Sequence, residues 1–137
     1  MEPEVHQGEE FLIIPLINTK HVLECSLGPG ATDKGKTTVG LYNYGDNQKW
    51  IFENKTNGNM YEIKCKGTDK NLKTFMSTPK SQCQVEKKSK DESEKWICEY
   101  KGKDDFADIY AIKNLATGLH LTSDKGGHAV INKYQDN

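Results

Sequence analysis

Gln48-Lys49-Trp50-Ile51 and Glu94-Lys95-Trp96-Ile97 are two copies of one tetrad set 46 positions apart, and they decide the fold. A second marker keeps nearly the same spacing. Tyr61-Glu-Ile-Lys64 recurs as Tyr110-Ala-Ile-Lys113, 49 positions on, and Phe11-Leu-Ile-Ile14 stands 50 positions before Tyr61 with the same aromatic-x-Ile-x shape. After each start comes a short Leu-containing segment: Lys20–Ser26, Asn71–Met76 and Gly118–Thr122. Self-similarity at a fixed period is the signature of a repeat architecture. Here the period lies between 46 and 50 residues and repeats nearly three times.

Inside each unit the pattern is that of strands. Tyr61, Ile63 and Cys65 alternate with Glu62, Lys64 and Lys66, the period of two that half-buries a strand. Leu119 and Leu121 alternate around His120 in the same way. Turn formers arrive every 8–12 residues: Gly28-Pro-Gly30, Asn43-Tyr-Gly45, Asn57-Gly58, Ser77-Thr-Pro79 and Ala116-Thr-Gly118. That spacing predicts an all-β chain. About four strands in each of three units select a β-trefoil, formed as one domain over residues 1–137 with repeats near 9–56, 57–104 and 105–137. A Trp at a fixed repeat position, burying about 200 Å2, suits the shared core. The third repeat is incomplete at the C-terminus: measured from Leu121, its Trp and its twelfth strand fall near 145–148. Either the chain is shortened, or Glu4–Gln7 completes the sheet. An unclosed sheet leaves an open edge that invites pairing with another chain, a homodimer included.

Composition excludes several classes. Nineteen basic residues against twenty acidic ones leave a net charge of -1, so the footprint of a nucleic-acid binder is missing. Every basic residue is Lys, which removes the guanidinium fork for phosphate or carboxylate. The longest apolar run, Phe11–Ile17, is too short to insert into a membrane. No basic n-region and apolar h-region follow Met1, so no signal peptide is visible; this favours a cytoplasmic or non-classically secreted protein, although a processed mature chain would begin the same way. Asn54-Lys55-Thr56 is a glycosylation sequon that matters only on a secretory route. Cys25, Cys65, Cys83 and Cys98 lie outside any CxxC and read first as small strand residues. If they are oxidised, three full pairings exist, and Cys65–Cys83 is the most plausible bridge. The four histidines are scattered, and neither a metal site, a cofactor site nor a catalytic set can be assembled, so no enzyme is expected. Gly30–Thr37 matches GxxxxGK[ST], but the Gly- and Asn-rich sequence after it cannot extend the helix that a P-loop needs. A turn-rich loop between the second and third strands is the expectation there.

Three units marked by Gln-x-Trp, here Gln48-Lys49-Trp50 and the variant Glu94-Lys95-Trp96, resemble the ricin B-type (QxW) lectin superfamily over about residues 9–137. The resemblance implies a non-catalytic carbohydrate-binding protein that recognises terminal sugars through shallow sites. It would be multivalent or a receptor-binding module, with glycans or glycoproteins as partners. In such lectins an acidic residue lies on the second strand of a unit, an aromatic on the third, and an Asn precedes the QxW Gln. Those roles fall on Glu24, on Tyr42 or Tyr44, and on Asn47 with Gln48. In the second unit they fall on Thr74, on Glu86 or Lys87, and on Ser93 with Glu94, a set that lacks the aromatic. The third unit offers Thr122 or Asp124, Lys133 or Tyr134, and Asn137. Two other readings stand beside the lectin: a β-trefoil protease inhibitor acting through a projecting loop (Gly28–Lys36 or Ser77–Gln82), and a protein-interaction scaffold whose sugar sites have decayed.

Overall fold

Both tryptophans are fully buried, and their indoles find the same partner in two successive units. Trp50 Nε1 donates to the Leu23 carbonyl at 2.9 Å, and Trp96 Nε1 donates to the Leu72 carbonyl at 3.0 Å. The computed structural model describes residues 5–25, 34–89, 91–104 and 107–133. Its strands are β1 (Glu10–Phe11), β2 (His21–Cys25), β3 (Lys34–Leu41), β4 (Trp50–Thr56), β5 (Met60–Cys65), β6 (Lys70–Lys73), β7 (Gln84–Glu86), β8 (Lys95–Lys103), β9 (Asp108–Asn114), β10 (His120–Ser123) and β11 (Ala129–Asn132). Single 3-10 turns at Asp46–Gln48 and Glu92–Glu94 lead into β4 and β8.

The strands divide into a barrel wall and a cap. Antiparallel pairing runs β1–β4–β5–β8–β9 around the wall. The hairpins β2–β3, β6–β7 and β10–β11 form the cap. They meet through β3–β7 pairing and through the bridges Thr38–His128 and Gln82–Val130. Trp50, Trp96, Tyr61, Ile63, Leu72 and Ile131 fill the space between wall and cap. This is the threefold plan of a β-trefoil. Backbone bonds repeat with it: Lys66 N–H reaches the Lys49 carbonyl and Leu115 N–H the Lys95 carbonyl, each at 2.9 Å.

Three expectations need adjustment. Alternation predicted that Glu62 faces solvent, yet it is buried. Its carboxylate accepts from Asn54 Nδ2 and Asn71 Nδ2 at 3.1 Å each, with Lys88 and Lys95 at 3.5 and 3.6 Å, the company a buried charge requires. Lys34–Thr37 opens strand β3, so the P-loop match leads into a strand and its second half is not a loop; Gly30–Asp33 lie outside the described residues. Cys65 meets Cys25, with the Sγ atoms 2.9 Å apart, and all four cysteines are buried. Burial pushes Cys83 and Cys98 up to about 12, whereas the Cys25 thiol donating to Cys65 brings the latter down to about 7.

The N-terminal segment runs along the wall that is already paired. Gly8 N–H donates to the Phe52 carbonyl at 3.1 Å, Lys55 N–H to Gln7 Oε1 at 2.9 Å, and Tyr61 Oη to the Val5 carbonyl at 3.0 Å. These bonds extend the contact of β1 with β4 and β5. They do not join β1 to β9, and Glu4 lies outside the described residues. Among the described residues, no strand lies between β9 and β1.

Candidate functional site

In the first unit the Gln48 amide ties Glu24 to the Leu41–Asn43 backbone. Gln48 is completely buried at the end of its 3-10 turn. Its Nε2 donates to Glu24 Oε1 and to the Leu41 carbonyl, both at 2.8 Å, and its Oε1 accepts from Asn43 N–H at 2.8 Å. An amide offers two donors and an acceptor. Each has a partner, so Gln48 fixes the loop from Leu41 to Asn43 and aims the Glu24 carboxylate.

Glu24 sits on β2, opposite Thr38 of β3. Thr38 Oγ1 donates to its Oε2 at 3.0 Å. The carboxylate lies over Gly40, where an added Cβ would come within 2.9 Å of Oε2. A glycine inside a strand often marks such a close approach. The carboxylate is thereby held from two sides while Glu24 stays half-buried, with lone pairs left for hydroxyl donors.

The aromatic element stands at the rim. Tyr42 is 37% exposed and Tyr44 77%, so neither belongs to the core. Their ring centroids are 4.3 Å apart with planes tilted by 45°. Tyr44 takes a left-handed φ of 65°, an unusual state for a bulky residue that points to strain at a functional position. Asn43 Oδ1 accepts from Gly45 N–H at 2.8 Å and closes the bend beneath the pair. Asn47 donates through Nδ2 to the Cys25 carbonyl at 3.4 Å.

The second unit repeats the frame with different charges. Glu94 is buried where Gln48 stands, and its carboxylate accepts from Ser89 N–H at 3.1 Å and from Ser89 Oγ at 3.1 Å, five residues back as Asn43 is from Gln48. The position equivalent to Glu24 is Lys73, not Thr74. Trp50 bonds the carbonyl of Leu23 and Trp96 that of Leu72, and the next residue in each strand is Glu24 or Lys73. Thr74 is buried and donates to Asn114 Oδ1 at 3.4 Å. Lys73 Nζ reaches Ser89 Oγ at 3.1 Å, Asp91 Oδ2 at 3.4 Å and Glu86 Oε2 at 3.9 Å. It also lies 5.5 Å from the Phe75 ring centroid. The acceptor of the first unit is thus replaced by a cation with partners of its own.

Residues 46–133 match the Ricin-type beta-trefoil lectin domain-like family. The chain belongs to that family. Among solved structures, the lectin domain is similar to the designed threefold-symmetric protein ThreeFoil, at a TM-score of 0.78 and 15% identity, covering 93% of this chain and 91% of that one. It is also similar to the Macrolepiota procera ricin B-like lectin in complex with lactose, at 0.66 and 12%, covering 98% and 91%. The Polyporus squamosus lectin bound to a sialylated influenza-binding epitope matches at 0.73 and 14%, over 98% of this chain but 46% of its own. At these identities the likeness establishes the fold. Among curated proteins none matches the sequence.

Among the described residues, the third unit of the lectin domain does not assemble an equivalent of the first. Asp124 lies in the turn between β10 and β11, where Oδ1 accepts from Gly126 N–H and His128 N–H at 2.9 Å each. Those amides, His128 foremost, hold its carboxyl below the usual range. Thr122 is the residue after Leu121 on β10, the counterpart of Glu24, and is half-buried. Lys133 is exposed, and Tyr134 and Asn137 lie outside the described residues. Sequence reasoning missed Thr38, Gly40 and Lys73. Gly40 inside a run of β-branched residues was the available signal for the first two. Lys73 was missed because strand offsets counted without the indole bond drift by one residue.

Proposed function

We propose that this domain binds carbohydrate without catalysing its conversion, through one shallow site in the first unit. The observation that carries the reading is the Glu24 carboxylate, clamped by Gln48 and Thr38, with Tyr42 and Tyr44 exposed on the loop that the same Gln48 holds at Leu41 and Asn43. Vicinal sugar hydroxyls would donate to Glu24, Asn47 would take a further hydroxyl, and a tyrosine ring would cover the apolar face of the pyranose. Terminal sugars of glycans or glycoproteins fit such an open rim. With one carboxylate and one aromatic face, affinity per site is low. Useful avidity then needs several copies on one surface, or attachment to a larger receptor-binding assembly.

An interaction scaffold is the second reading, and the inverted second unit favours it: Lys73 and Glu94 replace the acceptor–amide pair, and both are already engaged with Ser89.

A glycan array at high ligand density, probed with labelled intact protein, tests the proposal. Hits sharing one terminal sugar, lost on Tyr42→Ala without loss of fold, would support it. A blank array from folded protein, or unfolding by Tyr42→Ala, would overturn it.

A further inference from the structure

Cys25 and Cys65 lie 40 positions apart in the chain, yet their sulfurs touch at 2.9 Å. Cys25 ends β2, a cap strand whose strand partner is β3. Cys65 ends β5 in the barrel wall, opposite Trp50 on one side and Lys70 on the other. No ladder joins β2 to β5 among the described residues, so the sulfurs meet only because cap and wall close on each other. Both side chains lie in the core, at 1% and 0% exposure.

Three features set this pair apart from the other two cysteines. A disulfide bond is about 2.05 Å long, so a sulfur approach of under about 1 Å separates the contact from a bond. The surroundings also favour a nucleophilic sulfur at Cys65. The Cys25 thiol foremost, then the Gly67 amide and the Thr68 hydroxyl, stabilise its thiolate and bring it down to about 7 against the cost of burial. The thiolate is the attacking form in disulfide exchange, and an attacking thiol works best when it titrates near the ambient pH. Cys83 and Cys98, pushed up to about 12 by burial alone, are inert by the same rule. Finally, the span from Cys25 to Cys65 contains the whole first-unit loop. Cys65 Sγ lies 3.7 Å from the Asn47 carbonyl, and Asn47 Nδ2 donates to the Cys25 carbonyl at 3.4 Å.

We propose that Cys25 and Cys65 are a cross-linking site, joined as a disulfide by a small-molecule disulfide such as oxidised glutathione and reopened by excess thiol. Cys65 Sγ attacks one sulfur of the reagent, whose S–S bond breaks, and one glutathione leaves as its thiolate. Cys25 Sγ then gives up its proton and attacks Cys65 Sγ in the mixed disulfide, releasing the second glutathione. The protein sulfurs lose two electrons and the reagent gains them; both protons end on the glutathione thiols. Because both sulfurs are buried, exchange takes place as the chain folds or opens locally, and the core then closes over the product. The bond staples cap to wall across a long loop, the case in which a cross-link restricts the unfolded chain most.

The test uses the intact chain, unfolded under reducing conditions and refolded in a buffer of reduced and oxidised glutathione, then denatured and alkylated. Two of the four thiols should escape alkylation, the mass should fall by two hydrogens, and peptide mapping should return a Cys25–Cys65 link. The oxidised chain should melt about 10 °C above the reduced one, and dithiothreitol should restore the lower midpoint. Cys98→Ala should keep the link and Cys65→Ala should abolish it; if Cys65→Ala does not fold, the peptide map of the parent protein decides. Four alkylated thiols in the refolded parent, a Cys65–Cys83 or intermolecular link in its place, or equal midpoints for the two forms would each overturn the proposal. The sugar reading is tested apart from it, since none of these readouts involves a glycan.

Discussion

The first and second units share a frame and differ in what it presents. In both, a Trp indole bonds a Leu carbonyl on the unit's first cap strand. In both, the side chain two residues before that Trp accepts the N–H five residues behind it. On this frame the first unit mounts Glu24 and two exposed tyrosines, and the second mounts Lys73 among Ser89, Asp91 and Glu86. The lesson is that the QxW marker reports architecture. Trp50 and Gln48 build the loop, whereas the residue after each Leu decides what the loop can bind.

Removing the frame should have the largest effect. Trp50→Ala or Trp96→Ala deletes a fully buried indole and strands a Leu carbonyl, at a cost of about 3–5 kcal/mol. Chemical denaturation of the variants checks this, and a loss below about 1 kcal/mol would break the claim that the Trp positions carry the core. Next comes an exchange of the two buried acceptors. Gln48→Glu places a second carboxylate 2.8 Å from Glu24 and removes the donor to Leu41, so a loss of about 2–4 kcal/mol is expected. That loss should shrink as pH falls and the pair takes up a proton. Glu94→Gln keeps an acceptor for Ser89 and should cost clearly less.

The thiols sharpen the comparison through pH. Cys65, at about 7 against a usual 9, is ionised in the folded chain before the unfolded one. Between pH 7 and 9 the unfolded state therefore holds more protons, and this group's contribution to stability rises with pH. It is full above 9 and lost as pH falls through 7. Cys83 and Cys98, raised to about 12 by burial, act oppositely: their contribution is present below 9 and declines from 9 to 12. Cys25→Ala removes the donor to Cys65 and should abolish the rise between 7 and 9, as stability measured across that range would reveal. The smallest expected effect on the fold is that of Tyr44→Ala, within about 0.5 kcal/mol for an exposed ring.

Much of this was legible in the sequence because period and alternation are one-dimensional. The two Trp tetrads and the Tyr61 and Tyr110 starts placed the strands of the β-trefoil. Glu24, Tyr42 and Gln48 could be named through the family resemblance. What escaped depends on side chains meeting across elements. Asp124 sits where an acidic residue was expected, but its oxygen is turned onto its own hairpin amides. Cys65 reaches Cys25 instead of Cys83 because β2 and β5 converge beneath the Asp46–Gln48 turn. Thr38 and Gly40 become part of the site only through the β2–β3 register.

The central proposal, that the first unit and not the second presents the sugar site, is tested most directly by comparing Tyr42→Ala and Phe75→Ala with the parent protein on one high-density glycan array. Both variants alter exposed rings, one on the loop that Gln48 holds and one beside Lys73. The account predicts that Tyr42→Ala loses the parent's glycan hits and Phe75→Ala keeps them. Loss of the hits with Phe75→Ala while Tyr42→Ala retains them would contradict it.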